Sequence, residues 1–299
     1  MDMMMLPGTV MPGWAEPLEF GETIVLHDLP NNQYHGTRAL ISKSGLDVAA
    51  RSLAHYAHYL TEIPEDDGDS EALVIGSALH SLVLEPMVFR REFVLLPDFG
   101  DMRSSTNRAM RDTWLRNEHP GKKPLKRDQW QMIHDMRESL FRNRRIRAIL
   151  ENGRPEVTCA ALCPHTGLPL KIRMDWESEI DGVACDLKSA LDASPSVWRR
   201  AAANMRYHVQ DAYYTNVAQL CGRDVRELSF AVIEKEPPYV AGLYTLNPTA
   251  RAAGEIAYTQ QLAQIAEACE TGEFPGYGGG GVVELSLPKY AVADAETVP

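Results

Sequence analysis

The sequence predicts an α/β protein in which a mixed central sheet is flanked by helices, with a helical elaboration on its N-terminal side. Stretches in which apolar and polar residues alternate with period two, at 157–163, 170–176 and 183–188, read as strands, and 226–234 and 239–246 read as a further strand pair. Windows with apolar residues at helical spacing, at 47–60, 71–84, 127–150 and 248–271, read as helices laid on that sheet. A chain of 299 residues that is 44% hydrophobic can bury a substantial core.

Taken in order, residues 1–33 look like a loosely ordered leader, with prolines at 7, 12, 17 and 30 and no catalytic group expected. Ser42 or Ser44 can cap the amides of the helix over 47–60, and 63–70 is an acidic, proline-containing loop. The helix over 71–84 carries apolar residues at Leu73, Ile75, Leu79, Leu82 and Val83 and is therefore expected to pack against the core, and 89–99 reads as a short strand and turn. One long helix follows over 127–150, with Trp130, Ile133, Met136, Leu140 and Phe141 as its buried stripe, closed by Gly153. Glu156 then opens a strand, and the turn His165-Thr166-Gly167 folds it into a hairpin with the next. Ser194-Pro195 starts a helix, 207–214 is helical, and 248–271 forms a closing helix before a glycine-rich tail from 276.

The chemistry concentrates between 170 and 214. Alternation in Leu170-Lys171-Ile172-Arg173-Met174-Asp175-Trp176 puts Asp175 on the face of Lys171 and Arg173. In 183–188, Asp186 and Lys188 share the face opposite Val183, Cys185 and Leu187. Antiparallel pairing of the two strands would gather Asp175, Asp186 and Lys188. Paired carboxylates are hard oxygen ligands for Mg²⁺ or Mn²⁺, and a lysine two residues on can orient a water and offset charge on a phosphoryl oxygen. Gln210 and Tyr214, four apart, lie on one helical face.

Those blocks, Lys171 to Asp175, Asp186-Leu187-Lys188-Ser189 and Gln210-x-x-x-Tyr214, resemble the PD-(D/E)XK nuclease superfamily in its RecB-like form. Tyr34-His35, Ile41 to Leu46, and the run from Gly76 through His80 to Glu85-Pro86 narrow the resemblance to the exodeoxyribonuclease VIII (RecE)-like nucleases of phages and prophages, over roughly 34–274. The resemblance implies one nuclease domain over 34–274 with a helical insertion at about 101–150, and a Mg²⁺-dependent exonuclease, Mn²⁺ being an alternative ion. Such an enzyme degrades linear double-stranded DNA 5′ to 3′ and feeds a single-strand annealing protein. A ring-shaped homotetramer is implied as well. It makes His80 a metal ligand beside Asp175 and Asp186, Glu156 a further acidic group of the site, Lys188 the group that positions water, and Gln210 and Tyr214 orienting groups. From spacing alone, His80 would be a packed histidine and Glu156 a strand-edge carboxylate.

Five cysteines with no Cys-x-x-Cys argue against a disulfide framework and against the iron–sulfur cluster of some RecB-like nucleases. No run of 18 apolar residues and no signal-peptide start are present, so the chain is expected in the cytoplasm, away from membranes. The net charge of −11 opposes DNA at long range, but 101–150 holds 13 Lys or Arg against 6 Asp or Glu. Lys122, Lys123, Arg144 and Arg145 there, with Arg173, Arg199, Arg200 and Arg206, are the expected DNA contacts; any single arginine of the basic segment reads first as part of a solvated face, and it is the block beside a nuclease motif that points to DNA. The motif fixes neither end nor polarity: an endonuclease, a single-strand nuclease or a non-catalytic DNA-binding module on the same fold fits it too.

Overall fold

The computed structural model describes residues 18–27, 29–62, 70–179 and 182–287. Within the expected leader, Thr23–Leu26 forms strand β1, followed by the short helix α1 (Asn31–Gly36). A run of β-branched and apolar residues can satisfy its amides by adding to an open sheet edge, and β1 does so, pairing Thr23 to Leu26 with Ala161 to Thr158. Among the described residues of the expected leader, Thr23 to Leu26 and the residues from Asn31 on therefore take up regular structure. Its first 17 residues lie outside the described ones, as do 63–69 of the acidic loop and 288–299 of the tail.

The helix expected over 47–60 is two helices, α2 (Lys43–Arg51) and α3 (Leu53–Thr61). Ser52 between them is fully extended and its hydroxyl accepts from the His55 amide, so a residue read as helix interior acts as a cap. Helix α4 (Glu71–Leu84) starts on the Ser70 hydroxyl and leads into α5 (Pro86–Glu92) and β2 (Phe93–Leu95). The basic region comprises α6 (Ser105–Glu118), which buries no residue, β3 (Lys123–Leu125), α7 (Arg127–Arg142) and α8 (Arg144–Leu150). Asn143 breaks the predicted single helix between α7 and α8, its side chain accepting from the amides of Arg145 and Ile146.

Strands β4 (Gly153–Leu162), β5 (Pro169–Ser178) and β6 (Val183–Ala190) form a meander, and helices α9 (Pro195–Asn204) and α10 (Tyr207–Leu220) cross over to β7 (Glu227–Glu234). Strand β8 (Ala241–Tyr244) and the closing helix α11 (Pro248–Thr271) complete the fold. The sheet order is β1-β4-β5-β6-β7-β8, antiparallel throughout except that β6 and β7 run parallel, as a helical crossover requires. Helices cover both faces. On one, Ile172, Met174 and Phe230 pack with Leu46, Val209, Tyr213 and Ile265; on the other, Trp176, Cys185 and Ile233 pack with Leu79, Phe89, Ile133, Met136 and Leu140. This is the mixed α/β architecture expected, and α7 and α8 contribute Ile133, Met136, Leu140, Ile146, Ile149 and Leu150 to its second core.

Candidate metal centre

The centre lies where two strands change face. Period-two alternation would place Met174 and Trp176 on one side of β5, yet Met174 packs in the first core and Trp176 in the second. The turnover falls on Asp175. Across the ladder, Pro155 pairs with Trp176 and Val157 with Met174, which leaves Glu156 opposite Asp175 with φ of 53°. A non-glycine residue in the left-handed region costs about 1–2 kcal/mol. Such strain persists where surrounding structure imposes it, commonly at functional sites. Here it frees two facing carboxylates from the core pattern and aims them toward α4.

His80 of α4 meets both. Its Nε2 is 3.2 Å from Asp175 Oδ2 and its Nδ1 is 3.7 Å from Glu156 Oε1. One donor atom from each of the three residues lies within 4.8 Å of the others. The β5–β6 ladder stops after Trp176 pairs with Cys185, and Asp175 Oδ2 takes over the joint by accepting from the Leu187 amide at 2.9 Å. Beside this joint Asp186 is buried at 2% exposure, with Lys188 Nζ 2.5 Å from its Oδ2 and Gln210 Nε2 donating to its Oδ1 at 2.5 Å.

The electrostatics describe a cluster short of positive charge. Burial disfavours the His80 imidazolium, but Asp175 and Glu156 outweigh it and raise the ring to about 9. Burial pushes Glu156 up to about 7, against His80 and with Asp175. Burial would also raise Asp175, yet His80, Lys188 and the Leu187 amide hold it below the usual carboxylate range. Asp186 is pushed up by burial and by Asp175, against Lys188 and Gln210, while Asp186 and Asp175 keep Lys188 protonated despite its own burial. Asp186 Oδ2 accepts no directed hydrogen bond although the Lys188 ammonium is close. The two carboxylates of Glu156 and Asp175 and the His80 imidazole fit a divalent cation, with Asp186 beside them; the protonated His80 ring supplies the positive charge between Asp175 and Glu156, and that proton would have to leave for the ring to act as a ligand.

The other sequence-derived candidates fall in three groups. Tyr214 lies on α10 one turn beyond Gln210, partly buried against the first core, and its hydroxyl is raised well above its usual range by burial and nearby charge. Arg173 and Arg206, expected toward DNA, are engaged inside the fold. Arg173 is 7% exposed and bonds Thr158 Oγ1, Asn31 Oδ1 and the Leu29 carbonyl, with Glu156 Oε2 at 3.5 Å. It is a tether and a counter-charge, its guanidinium 4.2 Å from the Tyr34 ring centroid. Arg206 bonds the Leu46 carbonyl, Asp47 and Gln261, which locks the start of α10 onto α2 and α11. Lys122 is half-buried and donates to the Arg90 carbonyl; Arg199, Arg200, Lys123, Arg144 and Arg145 are exposed.

Sequence reasoning missed the work of Tyr34. Its buried ring also lies 4.4 Å from Lys171 Nζ, which donates to the Tyr34 and Thr37 carbonyls. Lys171 and Arg173, at alternate positions among apolar residues of the strand, were the signal, since buried cations need partners.

Comparison with known proteins follows the same lines. The family model described as "PDDEXK-like domain of unknown function (DUF3799)" matches residues 42–284. A crystal structure from Eubacterium rectale, provisionally described as an exonuclease, superposes with a TM-score of 0.54 over 91% of this chain and 99% of that one, at 14% identity. No curated protein sequence matches.

Proposed function

Because the chain belongs to the PDDEXK-like family of unknown function (DUF3799), we propose that it is a divalent-metal-dependent exonuclease degrading linear double-stranded DNA 5′ to 3′, to leave single-stranded tails for annealing recombination. The observation that carries the reading is the junction of His80, Glu156 and Asp175 with the Asp186–Lys188 pair at the point where β5 and β6 separate. Asp175, Asp186 and His80 would hold Mg²⁺ or Mn²⁺. The bound ion would neutralise the scissile phosphate and acidify a water.

The chain's own groups do the rest. Lys188 stands next to Asp186, where its ammonium can orient the attacking water and face charge developing on the phosphoryl oxygens. Gln210 fixes the rotamer of Asp186, and Arg173 supports Glu156 from behind. Glu156, held up to about 7, is suited to take a proton from that water. Exposed Arg199, Arg200, Lys123, Arg144 and Arg145 would meet the DNA backbone, their local charge offsetting the net −11 of the chain. The provisional description of the Eubacterium rectale protein supports exonuclease over endonuclease. A single-strand annealing protein and further copies of the chain in a ring are the partners this reading entails. Incubation of linear and covalently closed circular duplexes with the protein and Mg²⁺ tests it: loss of the linear substrate alone is expected, and nicking of the circle would make the protein an endonuclease.

A further inference from the structure

We infer that Tyr207 is a positioning residue that holds the Lys188 ammonium in place, an inference that rests on the nuclease reading of the same site. Lysine carries a point charge on a flexible four-carbon stem, so one ion pair leaves its position loosely set. Lys188 Nζ lies 5.2 Å from the centroid of the Tyr207 ring, within the range of a cation–π contact. Asp186 attracts the ammonium from one direction and the ring gives it a second, geometrically separate contact.

The ring is itself immobilised. It packs against Trp198 and Phe230 with centroids 5.4 Å away in each case and interplanar angles of 30° and 28°, and both neighbours are buried. Its backbone opens α10 directly after Arg206, a non-glycine residue at φ of 53° whose guanidinium is bonded to α2 and α11. A second ammonium, Lys43 Nζ, lies 5.7 Å from the same ring, but it is committed to the Met205 carbonyl at 2.7 Å and Asp47 at 2.5 Å. Tyr207 thus couples the pinned start of α10, which also presents Gln210, to the lysine on β6. Both partners of Asp186 are set from one helical turn.

The test uses Tyr207→Phe, Tyr207→Leu and Tyr207→Met with Mg²⁺ on end-labelled linear duplex, alongside NMR of the full chain carrying ¹³C at the lysine Cε. Phe keeps the ring and should keep kcat within about twofold. Leu and Met should lower kcat by roughly three- to thirtyfold, the span of a cation–π contact, with KM for DNA unchanged. In the spectra, the Lys188 methylene protons should lose their ring-current shift in Leu and Met and retain it in Phe. Two non-aromatic variants guard against one that folds poorly. An unchanged kcat in Leu and Met, a loss in Phe equal to that in Leu, or a rise in KM with kcat intact would overturn the assignment, the last making Tyr207 a DNA contact. Should the wild type cleave no DNA, the nuclease reading fails, while the ring-current comparison still decides where Lys188 sits.

Discussion

Replacing Gly254 by alanine should impair the candidate site from a helix that contributes no group to it. Gly254 lies on α11 where that helix crosses α10, and a Cβ there would sit 1.9 Å from the His208 carbonyl oxygen, 2.5 Å from its carbon and 3.0 Å from the Val209 nitrogen. These are backbone atoms, so no rotamer change relieves the overlap. Reaching an ordinary contact needs about 1.5 Å of separation between the helices. Overpacking of this kind costs about 1–3 kcal/mol, and the helix preference of alanine over glycine returns at most about 1 kcal/mol. The expected net loss is about 1–2 kcal/mol, read as a lower urea midpoint at unchanged m-value. Because Gln210 follows His208 by two residues, the displacement should also lengthen its 2.5 Å bond to Asp186 and lower kcat by about tenfold. A Gly254→Ala protein of equal or greater stability with unchanged kcat would refute the reasoning, since that is the behaviour of an unconstrained helical glycine.

Gln210→Leu removes the donor to a buried carboxylate oxygen and should cost about 1–3 kcal/mol while lowering kcat far more than KM; a neutral effect on both would show that Asp186 is held by other groups. Addition of Mn²⁺ at about 100 times its dissociation constant should stabilise the protein by about 2.7 kcal/mol, seen in a thermal melt as a rise of several degrees that EDTA reverses. His80→Ala or Asp175→Asn should abolish most of that rise if both residues are ligands. Burial, with Arg173 alongside, pulls the Lys171 ammonium down to about 7 from its ordinary 10.5. Between those values the unfolded chain binds the extra proton, so folding gains as pH rises through the window. Urea unfolding of wild type and Lys171→Met at pH 7 and 9.5 should show the difference moving toward wild type at the higher pH, and a constant difference would remove Lys171 from the account.

The sheet, the α4 and α11 helices and the residues of the Asp175–Asp186–Lys188 block were legible because local pattern and packing agree. Helix α4 runs from Glu71 to Leu84 as its apolar spacing and the Ser70 cap require, and α11 begins at Pro248 with the Asn247 cap in front. Patterns break down where long-range structure overrides them. Ser52 and Asn143 look like tolerated polar residues inside helices, and only the change of direction around the core makes them caps. The face change between Met174 and Trp176 and the left-handed Glu156 opposite it leave no mark in alternation, since both strands keep their register. Lys171 and Arg173, expected to face outward with Asp175, are closed in by Tyr34 and by the segment around Leu29, the latter read from composition as a leader. Proline and glycine content described the first 17 residues and the next 16 alike, whereas Thr23 to Leu26 had a sheet edge to join.

Degradation of linear duplex DNA labelled separately at its 5′ and 3′ ends, by wild type and Lys188→Ala, with Mg²⁺ and with EDTA, tests the central claim most directly. The account predicts early release of the 5′ label by wild type in Mg²⁺, none in EDTA, and a loss of at least about a hundredfold in Lys188→Ala, in line with the removal of a group that stabilises transition-state charge. Equal release by Lys188→Ala, or release by wild type that persists in EDTA, would contradict it.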